Sequence, residues 1–595
     1  MIITLSRLQY TYLFKIVKNN LFNPFIYCHC HTFYRKGKLL LIIILALIMK
    51  NQSLNAQMDS CLFISPVKHQ IISSGSFGEP RSTHFHSGVD IKPYHGSGKD
   101  PLVAIGDGYI SRIRITPDSY GKAIYLDHPC GYTSVYAHMD SFSSTIENYI
   151  DKVRIATKNS EIDQIPPPNA LKIKQGDILG FMGNSGNSFG AHLHFEIRNT
   201  TSEAPINPVL FGIGPKDNIA PIIRGLVVYE LDQNRKVLSQ SYYPATKKNN
   251  TSYDLNNDTL EVSWPLIGFG LHVYDMSNGA GNHNGIHKLQ YKVNGEKRFS
   301  FSIDSVPFDK SIFLHAHMDY GFKKQNKYVH KCYKEELNTL DIYTSSKFGQ
   351  LLIPNQLFPN SINILAADIF GNTASLNFNI RGKQELNTIS PSVITPNIGT
   401  NDSTFMFLDS FSLAFAPSTF LHPEFVKLKI VPNGISILST KESIPFFKNF
   451  NLDIDPKNLN LPDFNPLKLT YITIDRKGRK VNLGGDWVNN KFVLKSNDFG
   501  TYQVVTDITP PKLVIIKNES QTNVILQITD NLKTKGKTTR MTYSCLLDGQ
   551  WIPLDYDEKN NHLIISSKWL QSGMHCKIEV MDFNQNRTIK EFTIN

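Results

Sequence analysis

Residues 190–196 read GAHLHFE, and this short stretch is the most informative in the chain. His192 and His194 lie two positions apart, so on a β-strand both side chains project from the same face. Leu193 and Phe195 alternate with them and would pack on the opposite face. The pattern predicts a strand that carries two imidazoles on one face. Both could converge on one metal ion, or one could bind while the other assists.

Two further motifs lie upstream. Residues 86–90 read HSGVD, and His86 and Asp90 would lie about 13 Å apart on a fully extended strand, too far for one metal ion. A turn at Ser87–Gly88 would bring both side chains inward, because glycine permits it. The third motif, Tyr136-Ala-His138, predicts a strand histidine, which by itself is more often a core residue.

Together the motifs predict a metal site. Catalytic zinc sites commonly use three nitrogen or oxygen ligands and keep a fourth position for water. His86, Asp90 and His194 would supply that set. Two imidazoles, His138 and His192, would then remain for acid, base or charge-stabilising work beside an ionisable metal-bound water.

The arrangement resembles the lysostaphin/LytM-type family of zinc metallo-endopeptidases, which cut peptidoglycan cross-links. The order of the motif blocks agrees throughout, the spacing agrees up to the Tyr-Ala-His block, and every polar position expected to act is present. The blocks are His86–Asp90, Asp100–Gly108, Tyr136–His138, Gly180–Gly186 and His192–Glu196.

The resemblance implies a compact antiparallel β-sheet domain with its site in a groove. It implies one Zn²⁺ held by His86, Asp90 and His194. It further implies that His192 activates the attacking water, that His138 and His192 stabilise the oxyanion, and that the metal polarises the scissile carbonyl. The implied substrate is a peptidoglycan peptide.

Composition and charge narrow the class of protein. Of 595 residues, 41% are apolar and 19% are charged, which excludes wholesale disorder. The net charge is +11, but residues 1–50 hold seven of the 62 basic residues and none of the 51 acidic ones, which leaves +4 for the rest. We therefore expect no nucleic-acid partner.

The N-terminal 56 residues are predicted to be a targeting segment. Residues 39–49 read LLLIIILALIM behind three basic residues. A bilayer-spanning helix needs about 20 apolar residues, so this core fits a signal peptide better, or an N-terminal membrane anchor. We expect an exported protein of the periplasm or cell envelope.

The remaining chain predicts a mainly β protein. A peptidase domain over 57–212 would precede about three immunoglobulin-like β-sandwich modules, at 213–384, 385–505 and 506–595. A weak repeat supports this: DNIAP at 217–221 recurs as DITPP at 507–511. A strand that ends in aspartate and leads into a turn recurs at Asp368, Asp475 and Asp582. Coincidental hairpin chemistry is the alternative. The modules would position the enzyme or bind an envelope partner.

Several features have two interpretations. Residues 141–172 exceed the family pattern and could form a lid or a packed excursion. Cys545 and Cys576 could pair or stay free, within a cysteine set that does not indicate a disulfide framework. Glu196 is interpreted as a salt-bridged or solvated carboxylate rather than a group that orients a ligand, and Arg81 as solvated. Surface or structural roles are expected for His84, His95 and His128.

Two other functions compete with the enzyme. A non-catalytic relative could bind peptidoglycan or activate another hydrolase, and such proteins lose one or more ligands. A surface adhesin would explain the β modules but not the histidines and aspartate.

Overall fold

The computed structural model describes residues 61–595 except 97–98, 346, 354–357, 384–385, 387–396, 440–443 and 462–463. The predicted targeting segment 1–56, with its apolar core 39–49, lies outside the described residues. Within the described part of the chain, no helix is long and apolar enough to cross a bilayer.

Residues 63–212, here called the N-terminal domain, form an antiparallel sheet. Its main path runs 1-2-10-6-5-4-7 in strand number, with strand 9 joining strand 3 to strand 6. The strands are β1 (Ser73–Gly75), β2 (Val89–Ile91), β3 (Pro101–Val103), β4 (Gly108–Ile115), β5 (Lys122–Asp127), β6 (Tyr132–Phe142), β7 (Ile162–Gln164), β8 (Lys172–Ile173), β9 (Ile178–Met182), β10 (Leu193–Asn199) and β11 (Pro205–Ile206).

The long insertion contains helix α1 (Ser144–Thr157) and β7, which pairs with β4. Ile146, Ile150 and Arg154 are buried and recur every four residues, so they share one helix face. The helix ends at Lys158 in the left-handed conformation. Of the two interpretations of the insertion, the structure supports the packed excursion.

Residues 213–383, the first module, form one curled sheet of order 18-15-12-13-14-22-21-16-17-19, with strand 20 on strand 15. Its elements are β12 (Ile222–Leu231), β13 (Val237–Lys247), β14 (Ser252–Val262), β15 (Leu266–Tyr274), β16 (Lys288–Val293), β17 (Glu296–Ser302), α2 (Leu314–His317), α3 (Tyr320–Lys324), β18 (Val329–Lys331), β19 (Tyr343–Ser345), β20 (Leu351–Leu352), β21 (Asn360–Ala367) and β22 (Thr373–Gly382).

The middle module, residues 397–506, packs two sheets, of order 23-24-27-31-30 and 25-26-32-28-29, around one apolar core. Its strands are β23 (Thr404–Leu408), β24 (Phe411–Phe415), β25 (Val426–Val431), β26 (Gly434–Ser439), β27 (Phe450–Ile454), β28 (Leu469–Ile474), β29 (Lys480–Gly484), β30 (Asp486–Val488), β31 (Lys491–Ser496) and β32 (Gly500–Thr506).

The last module, residues 507–595, packs two smaller sheets, of order 33-34-38-37 and 36-35-39-40. Its strands are β33 (Lys512–Lys517), β34 (Val524–Thr529), β35 (Thr542–Leu547), β36 (Gln550–Ile552), β37 (Asp555–Asp557), β38 (His562–Ile565), β39 (His575–Met581) and β40 (Arg587–Thr593). The prediction of a mainly β chain with an antiparallel N-terminal domain is confirmed. The immunoglobulin-like character of the modules stays a prediction.

Short 3-10 helices join the strands, at Pro208–Phe211, Phe308–Phe313, Lys347–Gly349, Pro456–Asn458, Pro466–Lys468, Gly536–Thr539 and Ser567–Trp569.

The cysteines differ from the expectation in one respect. Cys61 and Cys130 are each disulfide-bonded, although the scattered cysteine set did not indicate disulfides. Cys545 and Cys576 are free and buried, with their sulfur atoms 3.7 Å apart. Cys332 is also a buried free thiol.

Candidate metal centre

Strand β10 brings the predicted ligands together because it pairs with two neighbours at once. His194 lies opposite Asp90 on β2 and opposite Ala137 on β6. Gly88 is required at the entry to β2, because a Cβ atom there would lie 2.2 Å from the carbonyl oxygen of Phe195. The glycine therefore lets this segment approach the backbone of β10.

The three predicted ligand residues are buried and point at one spot. His86 Nε2 lies 3.0 Å from Asp90 Oδ1 and 3.0 Å from His194 Nδ1. His194 Nδ1 lies 2.9 Å from Asp90 Oδ1. Two imidazole nitrogens and a carboxylate oxygen this close form a donor set that suits Zn²⁺.

Each of the three residues is oriented through its other polar atom. His86 Nδ1 donates to the carbonyl oxygen of Ser76 at 2.8 Å, so its Nε2 is free for a cation. His194 Nε2 lies 2.8 Å from Glu196 Oε1, which leaves Nδ1 as the inner atom. Arg81 Nη2 donates to Asp90 Oδ2 at 2.5 Å. Such outer partners fix the tautomer and ring orientation of metal-binding residues.

Glu196 and Arg81 therefore differ from their sequence interpretations. Glu196 is fully buried and accepts hydrogen bonds from Ser87 Oγ at 2.6 Å, Tyr120 OH at 2.5 Å and Arg198 Nε at 2.6 Å. It is salt-bridged, as one interpretation had it, but it also orients His194. Arg81 holds the carboxylate of Asp90 rather than facing solvent alone.

Sequence reasoning missed Ser76 and Tyr120. Ser76 acts through its backbone carbonyl, so its side chain gives no signal in the sequence. Tyr120 belongs to none of the motif blocks, and its contact with Glu196 spans 76 positions.

The electrostatics favour a positive charge inside the triangle. The pKa of Asp90 lies well below its usual value, because His86 and His194 outweigh the opposing effect of burial. Burial also opposes the protonation of His194, but hydrogen bonds to Asp90 and Glu196 raise its pKa to about 9. Burial lowers the pKa of His86 to about 4. His86 is therefore neutral and offers Nε2 as an acceptor, while the ionised carboxylate of Asp90 favours a cation between these groups.

His138 and His192 lie beside the triangle. Their ring centroids are 4.9 Å apart, and His192 Nε2 lies 3.5 Å from Asp90 Oδ1. His138 Nδ1 donates to the carbonyl oxygen of Ser185 at 2.8 Å, and His192 Nδ1 donates to that of Gly190 at 2.8 Å. Each ring therefore keeps Nε2 as the atom that can accept a proton.

Burial keeps both rings neutral. It lowers the pKa of His138 to about 3, with help from the positive charge of His194, and it lowers the pKa of His192. A neutral imidazole in this tautomer can take a proton at Nε2. It can donate a hydrogen bond to an oxyanion only after it has gained that proton.

The backbone of β6 is distorted at His138. Its φ is +60°, and the pairing of β5 with β6 shifts register between Lys122 and Ile124. A bulge of this kind re-aims a side chain, and such strained positions concentrate at functional sites. The alternating sequence pattern predicted the strand but not the bulge.

The other histidines have the roles expected of them. His84 and His95 are exposed. His128 is buried and structural, because its Nδ1 lies 2.9 Å from the carbonyl oxygen of Asp107 and its Nε2 lies 2.9 Å from Ser134 Oγ.

Comparison with known proteins points to one family. Residues 84–158 match the model described as peptidase family M23. The DD-carboxypeptidase/endopeptidase Mpg of Neisseria meningitidis serogroup B is 29% identical over 124 residues, which cover 21% of this chain and 22% of that protein. The cell division protein DipM of Caulobacter vibrioides is 26% identical over 152 residues, which cover 25% of this chain and 20% of that protein.

Among solved structures, the catalytic domain of lysostaphin from Staphylococcus simulans is 23% identical. The match covers 24% of this chain and 88% of that domain, with a TM-score of 0.17. The chain spans about a fifth of the length of the curated relatives it matches.

Proposed function

From the premise that the chain contains a domain of peptidase family M23, we propose that it is an exported zinc metallo-endopeptidase. Its substrate would be the peptide cross-links of peptidoglycan, and its role cell-wall remodelling. The observation that carries the proposal is the complete site: the buried triangle of His86, Asp90 and His194, with the neutral imidazoles of His138 and His192 beside it.

Zinc would be held by His86 Nε2, Asp90 Oδ1 and His194 Nδ1, one ion per domain. When bound there, it would supply a Lewis acid for the scissile carbonyl and lower the pKa of a coordinated water. The protein's own contribution is a rigid donor set, since each ligand is fixed from behind by Ser76, Arg81 or Glu196.

The two catalytic imidazoles would divide the proton transfers. His192 Nε2 faces Asp90, at the edge of the ligand triangle, and would accept the proton of the attacking water. His138, held from behind by Ser185, would stabilise the negative charge that develops on the carbonyl oxygen once its Nε2 carries a proton.

Export and the substrate rest on separate supports. The short apolar core at 39–49 and the disulfide-bonded state of Cys61 and Cys130 both favour an oxidising compartment. One matched relative is named an endopeptidase and another a cell division protein, which favours the cell wall as the place of action. The periplasm or cell envelope would therefore hold the enzyme.

A second candidate is a non-catalytic cell-wall protein or an activator of another hydrolase, and one observation favours it. Lys559 of the last module donates to the carbonyl oxygens of Asn184 and Ser188. The same turn holds His138 through Ser185. A module seated there would restrict substrate access without removing any ligand.

A digestion experiment tests the proposal. The purified protein is incubated with intact peptidoglycan, with and without a chelator, and released muropeptides are measured by mass spectrometry. Chelator-sensitive products are expected, and their masses identify the bond that is cut. Absence of products from a zinc-loaded sample would contradict catalysis and favour the second candidate.

Two variants test which histidine would bind zinc and which would act only in catalysis. His194→Ala should lose both zinc and activity, whereas His192→Ala should keep zinc and lose turnover. Zinc content is measured by elemental analysis, with exposed His95→Ala as the matched control. A zinc-free His192→Ala protein would show that the assignment of roles is wrong.

A further inference from the structure

Three carboxylates converge in the first module, far from the histidines of the metal centre in sequence. Asp217 precedes β12, Asp275 directly follows β15, and Asp368 directly follows β21. Each offers one oxygen, and these oxygens lie within 4.8 Å of one another. The strand ends therefore gather three acidic groups at one edge of the module.

The last module repeats this arrangement. Asp507 precedes β33, Asp530 directly follows β34, and Asp582 directly follows β39. Their oxygens also lie within 4.8 Å of one another. Two modules that differ in sheet size thus build the same cluster from the same kind of position.

The clusters contain buried oxygens that have no hydrogen-bond partner. In the first module, Asp275 is 6% exposed and its Oδ1 is unpartnered. Asn284, 3% exposed, lines the same cavity as the carboxylates. Its amide nitrogen donates to Ser277 Oγ, whereas its Oδ1 has no partner. In the last module, Asp507 is 2% exposed and its Oδ2 is unpartnered. Buried polar atoms are rarely left without partners.

The negative charge of the clusters is at most partly compensated, because Lys468 of the middle module reaches Asn586 beside Asp582 but no carboxylate of the cluster. Among the described residues, none of the six carboxylates forms a salt bridge. Burial and the neighbouring Asp368 and Asp217 raise the pKa of Asp275 to about 8. Burial and the neighbouring Asp507 and Asp582 raise the pKa of Asp530 to about 6. Each cluster is thus short of positive charge.

The middle module provides an internal control. Asp475 follows β28 as Asp368 follows β21, but four residues later the chain has Arg479 where the first and last modules have Asn372 and Asn586. Arg479 Nε donates to Asp475 Oδ2 at 2.9 Å. This hydrogen bond lowers the pKa of Asp475 to about 2.

The asparagines at the equivalent position are neutral and only orient the carboxylates. Asn372 Nδ2 donates to Asp368 Oδ2 at 2.6 Å, and Asn586 Nδ2 donates to Asp582 Oδ2 at 2.9 Å. The middle module thus supplies its own cation, whereas the first and last modules do not. Within the described residues, the middle module has no three-carboxylate cluster.

We propose that the first and last modules each bind one Ca²⁺ ion through these carboxylates. All donors are oxygens, which hard cations prefer, and the irregular set of carboxylates with a nearby amide oxygen suits Ca²⁺ better than the strict octahedron of Mg²⁺. The ions would be structural, since they would tie together strand ends from different parts of one sheet in the first module and from the two packed sheets in the last module. An affinity of about 10⁻⁴ to 10⁻³ M, as in extracellular modules, is expected.

The first of these sites adjoins the zinc triangle. Asn284 pairs with Asp275 as an isolated bridge, and the next residue, Gly285, donates its backbone N–H to Ser76 Oγ at 3.1 Å. Ser76 is the residue whose carbonyl orients His86. A calcium ion in the first module would therefore stiffen a segment that contacts the zinc-binding residues.

Calorimetric titration tests the proposal on the full chain after chelation and reloading with zinc alone. Titration with CaCl₂ should show two sites per chain. Asp275→Asn and Asp530→Asn should each leave one site, and the double variant none. Asp475→Asn is the matched control and should keep both sites. A stoichiometry that neither variant changes, or tighter binding of Mg²⁺ than of Ca²⁺, would overturn the proposal.

Thermal melting guards against a loss of binding that is due only to misfolding. Without calcium, Asp275→Asn should melt at or above the temperature of the parent, because the substitution relieves repulsion between buried carboxylates. With calcium, the parent should gain stability by mass action and the double variant should not. A double variant that gains as much as the parent would contradict the assignment. None of these measurements depends on peptidase activity.

Discussion

The N-terminal domain contacts both the first and the last module, and the two interfaces differ in their main kind of interaction. Towards the first module, Phe77 and Phe85 are part of the buried apolar cluster that forms the module's core. Towards the last module, hydrogen bonds such as that from Leu554 N to Ser160 Oγ accompany a set of ion pairs. The ion pairs are Lys122–Asp555, Arg154–Asp555, Arg540–Asp118, Arg540–Glu161, Lys568–Glu147 and Lys568–Asp151.

The apolar contact with the first module should be permanent, whereas the ionic contact with the last module should respond to salt and to loss of charge. Apolar burial is not weakened by the screening of charges, so the first module behaves as part of the same folded unit as His86, Asp90 and His194. Ion pairs are weakened by salt, and removal of one charge leaves the other charge without a partner. The adjustable contact is also the one that reaches the turn behind His138, through Lys559.

The largest effect is expected at the apolar contact. Phe85→Ala should destabilise the protein by about 3–5 kcal/mol, because Phe85 is 3% exposed and its removal leaves a cavity between the domain and the module. Urea unfolding measures the loss. The matched control is Phe358→Ala in the first module, where the ring is 81% exposed and little change is expected. Equal losses in both variants would refute the shared core.

A smaller and more local effect is expected at the ionic contact. Asp555→Asn should weaken docking of the last module by about 3 kcal/mol, because it leaves Arg154, which is buried, without its carboxylate. Hydrogen exchange of helix α1 reports the release. The control is Asp341→Asn, which removes an exposed surface pair with Lys310 and should leave α1 protected. If α1 stays protected in Asp555→Asn, the ion pairs do not hold the module.

Neither of these two interfaces could be predicted from the sequence. The convergence of His86, Asp90 and His194 could be predicted because a short motif records His86 close to Asp90, which lies on β2, and a second motif records His194 on β10. The partner of Lys122 lies 433 positions away, and no local pattern encodes that contact. The insertion at 141–172 was visible as an addition to the family pattern, but the contacts of helix α1 with the last module were not.

The residues that hold the candidate metal-binding side chains in place were also not predictable from the sequence. Arg81 and Ser76 orient Asp90 and His86, and Tyr120 holds Glu196, through contacts that depend on how the strands pair. The sequence shows which residues can bind a metal, but burial decides whether a nearby carboxylate such as Glu196 is solvated or fixed. For the aspartate clusters, the repeat was visible while the convergence of three strand ends was not.

The next smaller effect is expected from acid, which should act on the stability of the first module. Burial lowers the pKa of His272 and His315 to about 4 and that of His330 to about 3. These values lie below the ordinary histidine value, so the unfolded chain takes up protons that the folded first module refuses. The stability that these three histidines contribute should therefore fall as the pH drops from about 6.5 towards 4, against the opposite contribution of Asp275, whose raised pKa favours the folded state at lower pH.

Hydrogen exchange of the first module at pH 7 and pH 5, corrected for intrinsic rates, measures this effect. His315→Gln should flatten the dependence, and exposed His95→Gln should not change it. A first module that is equally protected at both pH values would show that its buried histidines do not control its stability.

Salt should produce the smallest effect and the most selective one. Raising the ionic strength from 0.15 M to 1 M shortens the Debye length from about 8 Å to about 3 Å. This weakens the more accessible pairs of Lys568 with Glu147 and Asp151 more than the pair of buried Arg154 with Asp555. Helix α1 and the turn at 184–190 should then exchange faster, while β2 and the segment around Phe85 keep their protection. Lys559→Ala at low salt should reproduce the change in the turn alone, because Lys559 contacts that turn and not α1. If salt left α1 and the turn as protected as β2, the last module would be as permanent a part of the fold as the first, and access to His138 and His192 would not be adjustable through it.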